Sequence, residues 1–165
     1  MGYDVDIKRI GAMTLFDLKG TQKAILNWCG PHLPGFPDTP NSAATRDEAM
    51  FLHIGKDHWL LLADLSQEGA LYAHLKPTEA PPDISVVCVS DTQCFFAITG
   101  ADVDQILSIA SPLDIHATIF PENGATYSEA FGLKALILRK PEGYWLAVEQ
   151  SFGDMLEDYL SRATA

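Results

Sequence analysis

The residues best placed to do chemistry are Asp114 and His116, two apart in "SPLDIHATIFPENG", residues 111–124. A carboxylate beside an imidazole can act as an acid–base pair or supply half of a metal site. In an extended segment residues i and i+2 point to the same side, so the His116 ring can donate directly to Asp114. Either chemistry needs a further member: a nucleophile or substrate for the pair, more ligands for a metal. Nothing in the sequence supplies it. The competing reading is structural: Leu113, Ile115 and Phe120 turn inward, and Asp114 and His116 fix the loop through hydrogen bonds within the chain. His116 is expected to bond this way.

Other searches return little. The five histidines are His32, His53, His58, His74 and His116, and no two share a metal-type spacing on one helix. His53 and His58 flank a hairpin turn and can approach each other across it, as a solvated pair. The sequence has no C-x-x-C, no H-E-x-x-H, no Gly-rich phosphate loop and no G-x-S-x-G elbow. No catalytic, cofactor-binding or metal-binding residue is therefore assigned to this chain. Trp28, Trp59, Trp145, Tyr144 and Tyr159 can line a pocket for a flat ring, but core packing is the expected role of Trp59 and Trp145.

The elements that would position these residues come in duplicate. "TLFDLKGTQKAIL" (14–26) and "FFAITGADVDQIL" (95–107) each read as a strand, a Gly turn and a helix start. Residues 51–75 and 136–160 each read as a hairpin leading into a helix, with Trp59 aligned on Trp145. Ser66 and Ser151 stand where helix N-caps belong, with Glu68 and Asp154 in the first turns. Ile106, Leu107 and Ile109 are expected to form one apolar stripe. Each half then runs strand, strand, helix, long loop, strand, strand, helix. Alternation such as Ile84, Val86, Cys88 fits half-buried antiparallel sheets, so the expected class is α+β with helices covering one face of each sheet. The chain is expected to be a single domain, 1–165, with halves of about 1–76 and 84–165. "KPTEAPPD" (76–83) is expected to join them as a stiff linker.

Two loops have no local explanation. Residues 29–49 carry Pro31, Pro34, Pro37 and Pro40, followed by Asn41. Residues 111–124 are the counterpart. Long loops of this kind are usually functional or interfacial. Pro34, Pro37, Pro40, Asn41, Asp114, His116 and Phe120 are the structural or interface candidates.

Acids outnumber Lys and Arg by 22 to 11, a net charge of −11 that repels phosphate backbones, so nucleic acid is not an expected partner. The apolar runs are short, so no membrane span is expected. The opening "MGYDVDIKRI" has acids and no apolar core, so no secretory signal is expected either. Three cysteines, Cys29, Cys88 and Cys94, fit a reducing cytoplasm better than a disulfide framework, and Cys88 and Cys94 are expected to be buried.

Together these segments resemble a known family. "LPGFPDTPNSAA", "FLHIGKDHWLLL", "PLDIHATIFP" and "AVEQSFGDMLEDYL" are similar to signatures of the sarcosine oxidase gamma subunit family, across roughly residues 14–163. Departures stand at Gln150, Ser111 and Tyr159, where the family usually has Arg, Cys and Trp. The resemblance implies a small non-catalytic subunit that assembles with alpha, beta and delta chains. Such a complex oxidatively demethylates sarcosine to glycine and passes the one-carbon unit to tetrahydrofolate. FAD, FMN, NAD and tetrahydrofolate are implied for the complex and none for this chain. The resemblance also implies kinship of fold with the folate-binding aminomethyltransferase domain of the glycine cleavage system. That kinship supplies the alternative, a stand-alone folate or small-ligand binding module with a concave, aromatic-lined pocket. Against it, "FGLKALIL" lacks the acid that aminomethyltransferases carry there. Homo-oligomerisation of the isolated chain is a further expectation.

Overall fold

The computed structural model describes residues 2–165. Along the chain run β1 (Asp6–Ile10), β2 (Met13–Lys19), α1 (Gln22–Cys29), β3 (Ser42–Arg46), β4 (Ala49–Gly55), β5 (His58–Asp64) and α2 (Glu68–Leu75). Then follow β6 (Ser85–Cys88), β7 (Gln93–Thr99), α3 (Val103–Ala110), β8 (Ala125–Ala130), β9 (Leu133–Lys140), β10 (Gly143–Glu149) and α4 (Gly153–Thr164). The strands form two antiparallel five-stranded sheets, ordered β3-β4-β5-β2-β6 and β1-β7-β10-β9-β8. The α+β class and the duplication are as expected. Each half has one strand more than expected, because β3 and β8 lie in stretches with little apolar alternation, "SAATR" and "ATYSEA".

The chain divides into two compact units, residues 12–90 and residues 1–11 with 91–165. These bounds differ from halves at about 1–76 and 84–165. The first strand of each half pairs in the sheet of the other: β1 lies against β7, and β6 against β2. Residues 76–83 accordingly connect α2 to β6 inside the 12–90 unit and are no inter-unit linker. They do stay out of the sheet, with a short 3-10 turn at Pro77–Glu79.

In each unit two helices cover one sheet face. Ile25 and Cys29 of α1 and Leu71 and Leu75 of α2 pack with Phe16, Leu18, Phe51, Trp59 and Leu61. Ile106 and Leu107 of α3 and Leu156 and Leu160 of α4 pack with Phe96, Ile98, Ile137, Tyr144 and Leu146. Each such side chain contributes about 1.5–3 kcal/mol by leaving water. The α3 stripe is Val103, Ile106, Leu107 and Ala110, while Ile109 is 57% exposed. Ile109 fails the expected stripe because its angle on the helix puts it outside the face. Apolar residues on the opposite sheet face are buried too, among them Leu15, Leu60 and Leu62, and Phe95, Leu136 and Leu138. The simple half-buried alternation therefore understates the strands.

Helix ends follow local chemistry. Thr21 Oγ1 accepts from the Ala24 N–H at 3.2 Å and caps α1. The expected caps Ser66 and Ser151 do not cap. Asp64 caps the 3-10 turn Leu65–Gln67 that leads into α2, accepting from the N–H and the hydroxyl of Ser66, and Ser151 lies inside a 3-10 turn. These hydrogen bonds from Ser66 hold the Asp64 carboxyl below the usual carboxylate range. Glu68 and Asp154 do occupy the first turns of α2 and α4, where a carboxylate favours the positive helix end.

Register settles the duplicated aromatics. Trp59 stands opposite Leu18, and Tyr144 opposite Ile98, the repeat counterpart of Leu18. Tyr144 is therefore the counterpart of Trp59, and Trp145 projects from the other face. A one-residue slip in a strand always exchanges faces. Gly143, at φ 150, passes so close to the Ile98 carbonyl that any Cβ would strike it.

Candidate functional site

The segment 111–124 leaves the end of α3 without regular structure and closes on β8. Ser111 is buried and accepts from the Leu113 N–H at 3.2 Å. Leu113 and Ile115 pack against the core as expected, and Phe120 is 2% exposed within it. Asp114 and His116 face outward. Their rings and carboxylates do not pair in the expected way. Asp114 Oδ1 accepts from the backbone N–H of His116 at 2.9 Å, a local Asx-type turn. The imidazole turns to Thr118 instead, with Nδ1 2.8 Å from Oγ1 and accepting from the Thr118 N–H at 3.3 Å. The N–H groups of Ile119 and Phe120 both donate to the His116 carbonyl at 2.8 Å. The Asp114 carboxylate and the His116 ring are thus engaged within the stretch itself.

What fastens the stretch to the fold is Arg139. One guanidinium nitrogen, Nη2, donates to the Ile115 carbonyl. The same guanidinium lies 5.7 Å from the Phe120 ring centre and 5.1 Å from that of Tyr144. The Arg139 N–H donates to the Gly124 carbonyl at 2.9 Å. Behind it, the Tyr144 hydroxyl donates to Asp104 at 2.7 Å, and burial together with that carboxylate pushes its pKa well above the usual phenol value. Sequence reading missed Arg139, although a signal exists. Ala135, Ile137 and Arg139 share one strand face, so a charged residue falls at a core-facing position.

The Pro-rich loop is also tied down. Leu33 is buried, and Phe36 meets Phe51 and Trp59 edge-on at 5.3 and 5.1 Å. Pro34 is half-buried, Pro37 buried, and Pro40 exposed. Asn41 takes a left-handed conformation, φ 57, and its N–H donates to the His53 carbonyl at 2.8 Å. Pro40 and Asn41 line a cleft of about 460 Å³ with Gln22, His53, Lys56 and Trp59. The His53 ring stacks on Trp59 at 4.1 Å. His58 turns away and pairs with Asp17, so the expected His53–His58 approach does not occur. The strand alternation that separates residues 53 and 58 onto different faces is the reason.

The remaining aromatics are dispersed. Trp28 donates through Nε1 to the Leu75 carbonyl at 2.8 Å, and Trp59 to that of Gly20 at 3.1 Å. Trp145 is half-buried and lines a second cleft, of about 360 Å³, with Ala97, Thr99, Lys140 and Glu142. The Lys140 ammonium lies 4.3 Å from the Trp145 ring centre, and burial holds its pKa below the usual value. Tyr159 is at the surface. Cys29 and Cys94 are buried and Cys88 only half so. Among the described residues no three His, Cys, Asp or Glu side chains group as metal ligands, and no helix is long and apolar enough to cross a membrane.

Residues 40–165 match the model of the sarcosine oxidase, gamma subunit family. The chain belongs to that family. The match takes in Pro40, Asn41 and the whole of 111–124, while Pro34 and Pro37 precede it. This gamma-family chain shares its fold with the heterotetrameric sarcosine oxidase from Corynebacterium sp. U-96, solved in complex with pyrrole 2-carboxylate. The TM-score is 0.77 at 21% identity, covering 98% of this chain and 86% of that one. It also shares its fold with glycine cleavage system aminomethyltransferase T from Bartonella henselae, at a TM-score of 0.70 and 14% identity. That likeness covers 96% of this chain and 46% of the aminomethyltransferase. No curated protein matches the sequence.

Proposed function

We propose that this chain is the small, non-catalytic gamma-type subunit of a heterotetrameric sarcosine oxidase. The observation that carries the reading is the family match over residues 40–165. In this reading the chain assembles with alpha, beta and delta subunits in the cytoplasm. The complex demethylates sarcosine oxidatively to glycine, and tetrahydrofolate takes the one-carbon unit. The FAD, FMN and NAD sites belong to the larger chains.

The residues of this chain do not fit a folate-activating site. Where the resemblance places the aminomethyltransferase acid, β9 carries Leu133, Lys134, Ala135 and Leu136. Ala135 and Leu136 are fully buried, and the Lys134 ammonium lies 4.5 Å from the Tyr127 ring centre. A buried apolar strand offers no carboxylate to take or give a proton.

The second reading, a stand-alone folate or small-ligand binding module, draws on the cleft beside Trp59 and His53. Titration of tetrahydrofolate into the pure chain, followed by Trp fluorescence, separates the two. The subunit reading expects no binding tighter than about millimolar, roughly 4 kcal/mol. Tighter binding, or methylene transfer by the pure chain, would overturn it.

A further inference from the structure

One flank of α4, beside its buried face, carries an apolar stripe, while the rest of its exposed surface holds Asp154, Glu157, Asp158 and Arg162. Phe152, Met155 and Tyr159 are 37%, 43% and 38% exposed, and their spacing of three and four puts them on one side. The inner side, Gly153, Leu156 and Leu160, is already buried in the core. Single exposed apolar residues need no explanation, but a contiguous stripe is a candidate for a docking surface.

Phe131 extends the stripe. Its ring lies 5.5 Å from that of Tyr159. It sits in the two-residue turn between β8 and β9, where Phe131 has φ 50 and Gly132 φ 80. A turn of this shape suits Asn-Gly, and a bulky side chain at positive φ is strained. The Phe131 ring is half-buried against the core and its remaining surface lies beside Tyr159. The Phe131 N–H donates to the Ala110 carbonyl at 2.7 Å, so the stripe reaches the end of α3, beside exposed Ile109 and the start of 111–124.

Charge selects the occupant. Residues 1–11 and 91–165 hold 13 acids and 6 bases. Arg9 is paired with Asp154 and Glu157, and Arg162 with Asp158, so two of those bases are already committed along α4. A second copy would bring two strongly acidic faces together, which like-charge repulsion disfavours. We infer that Phe152, Met155, Tyr159 and Phe131 form the docking ledge for a larger oxidase subunit, whose facing surface is apolar at its centre and carries Lys and Arg at its rim. This rests on the subunit reading above.

The test is co-expression with the alpha, beta and delta chains and recovery through a tag on the alpha chain. The wild type is expected to co-purify. The Met155→Glu, Tyr159→Glu double variant is expected to keep its melting temperature while its recovery falls about tenfold or more. A double variant recovered like the wild type overturns the ledge and leaves the subunit reading standing. A wild type that does not co-purify overturns both. A homodimer lost in the variant assigns the face to a second copy and overturns the proposal. If the variant melts early, hydrogen exchange on the wild type decides: slowed exchange over 149–164 in the complex supports the ledge, and unchanged exchange overturns it.

Discussion

His58 Nε2 lies 3.0 Å from a carboxylate oxygen of Asp17, across neighbouring strands β5 and β2. The two residues are 41 apart in sequence. Both side chains are about one-third exposed, so solvent screens the pair strongly. A double-mutant cycle with Asp17→Asn and His58→Gln is expected to give a coupling of about 0.2–1 kcal/mol in urea denaturation. Zero coupling would mean that the contact contributes only geometry.

Arg139 should matter more than either member of the Asp114–His116 motif. Replacing it by Met removes a charged donor from the Ile115 carbonyl and a cation from the Phe120 face. The expected loss is about 1.5–3 kcal/mol. Amide exchange at Ile119 and Phe120 should accelerate. Arg139→Lys should not restore the wild type, because an ammonium cannot reproduce the planar fork. Unchanged exchange at those two amides would refute the fastening role.

His116→Ala removes only the ring's contact with Thr118. The N–H bond to the Asp114 carboxylate and the carbonyl bonds from Ile119 and Phe120 use only the His116 backbone and persist. Stability should fall by about 1 kcal/mol or less, while recovery of the assembled complex falls. If denaturation and co-purification both match the wild type, the segment does not lie at a partner surface.

Alkaline pH should weaken the fold through Cys29. Burial pushes its thiol from the ordinary 9.0 up to about 11. Above pH 9 the unfolded chain loses that proton while the folded chain keeps it. The unfolded state then binds fewer protons, so stability falls as pH rises from 9 towards 11. The raised Tyr144 hydroxyl acts in the same direction at still higher pH. The loss from Cys29 is on the order of 1–3 kcal/mol. Cys29→Ala should flatten this part of the urea-midpoint profile, and an equally steep profile in the variant would exclude the thiol.

The helices, the two hairpins and the duplication were legible because each is written locally, in apolar spacing and turn residues. The strands β3 and β8 were not, since "SAATR" and "ATYSEA" become strands only by pairing with β4 and β9. The cap before α2 was misplaced by two residues for a related reason. Asp64 and Ser66 are both competent caps, and backbone geometry chooses between them.

The site divides in the same way. Side-chain types and one-dimensional spacing were enough to set the α+β class and the inward turn of Leu113, Ile115 and Phe120, and the family was legible as a resemblance of whole segments. Strand exchange between the halves, the register that makes Tyr144 and not Trp145 the repeat counterpart of Trp59, the Asp17–His58 pair and the Arg139 fastening were decided only in three dimensions. Each depends on which residues meet across a sheet, and period-two alternation says which face a residue takes only once the register is set. Spacing along the chain carries no information on the register between strands forty or eighty residues apart.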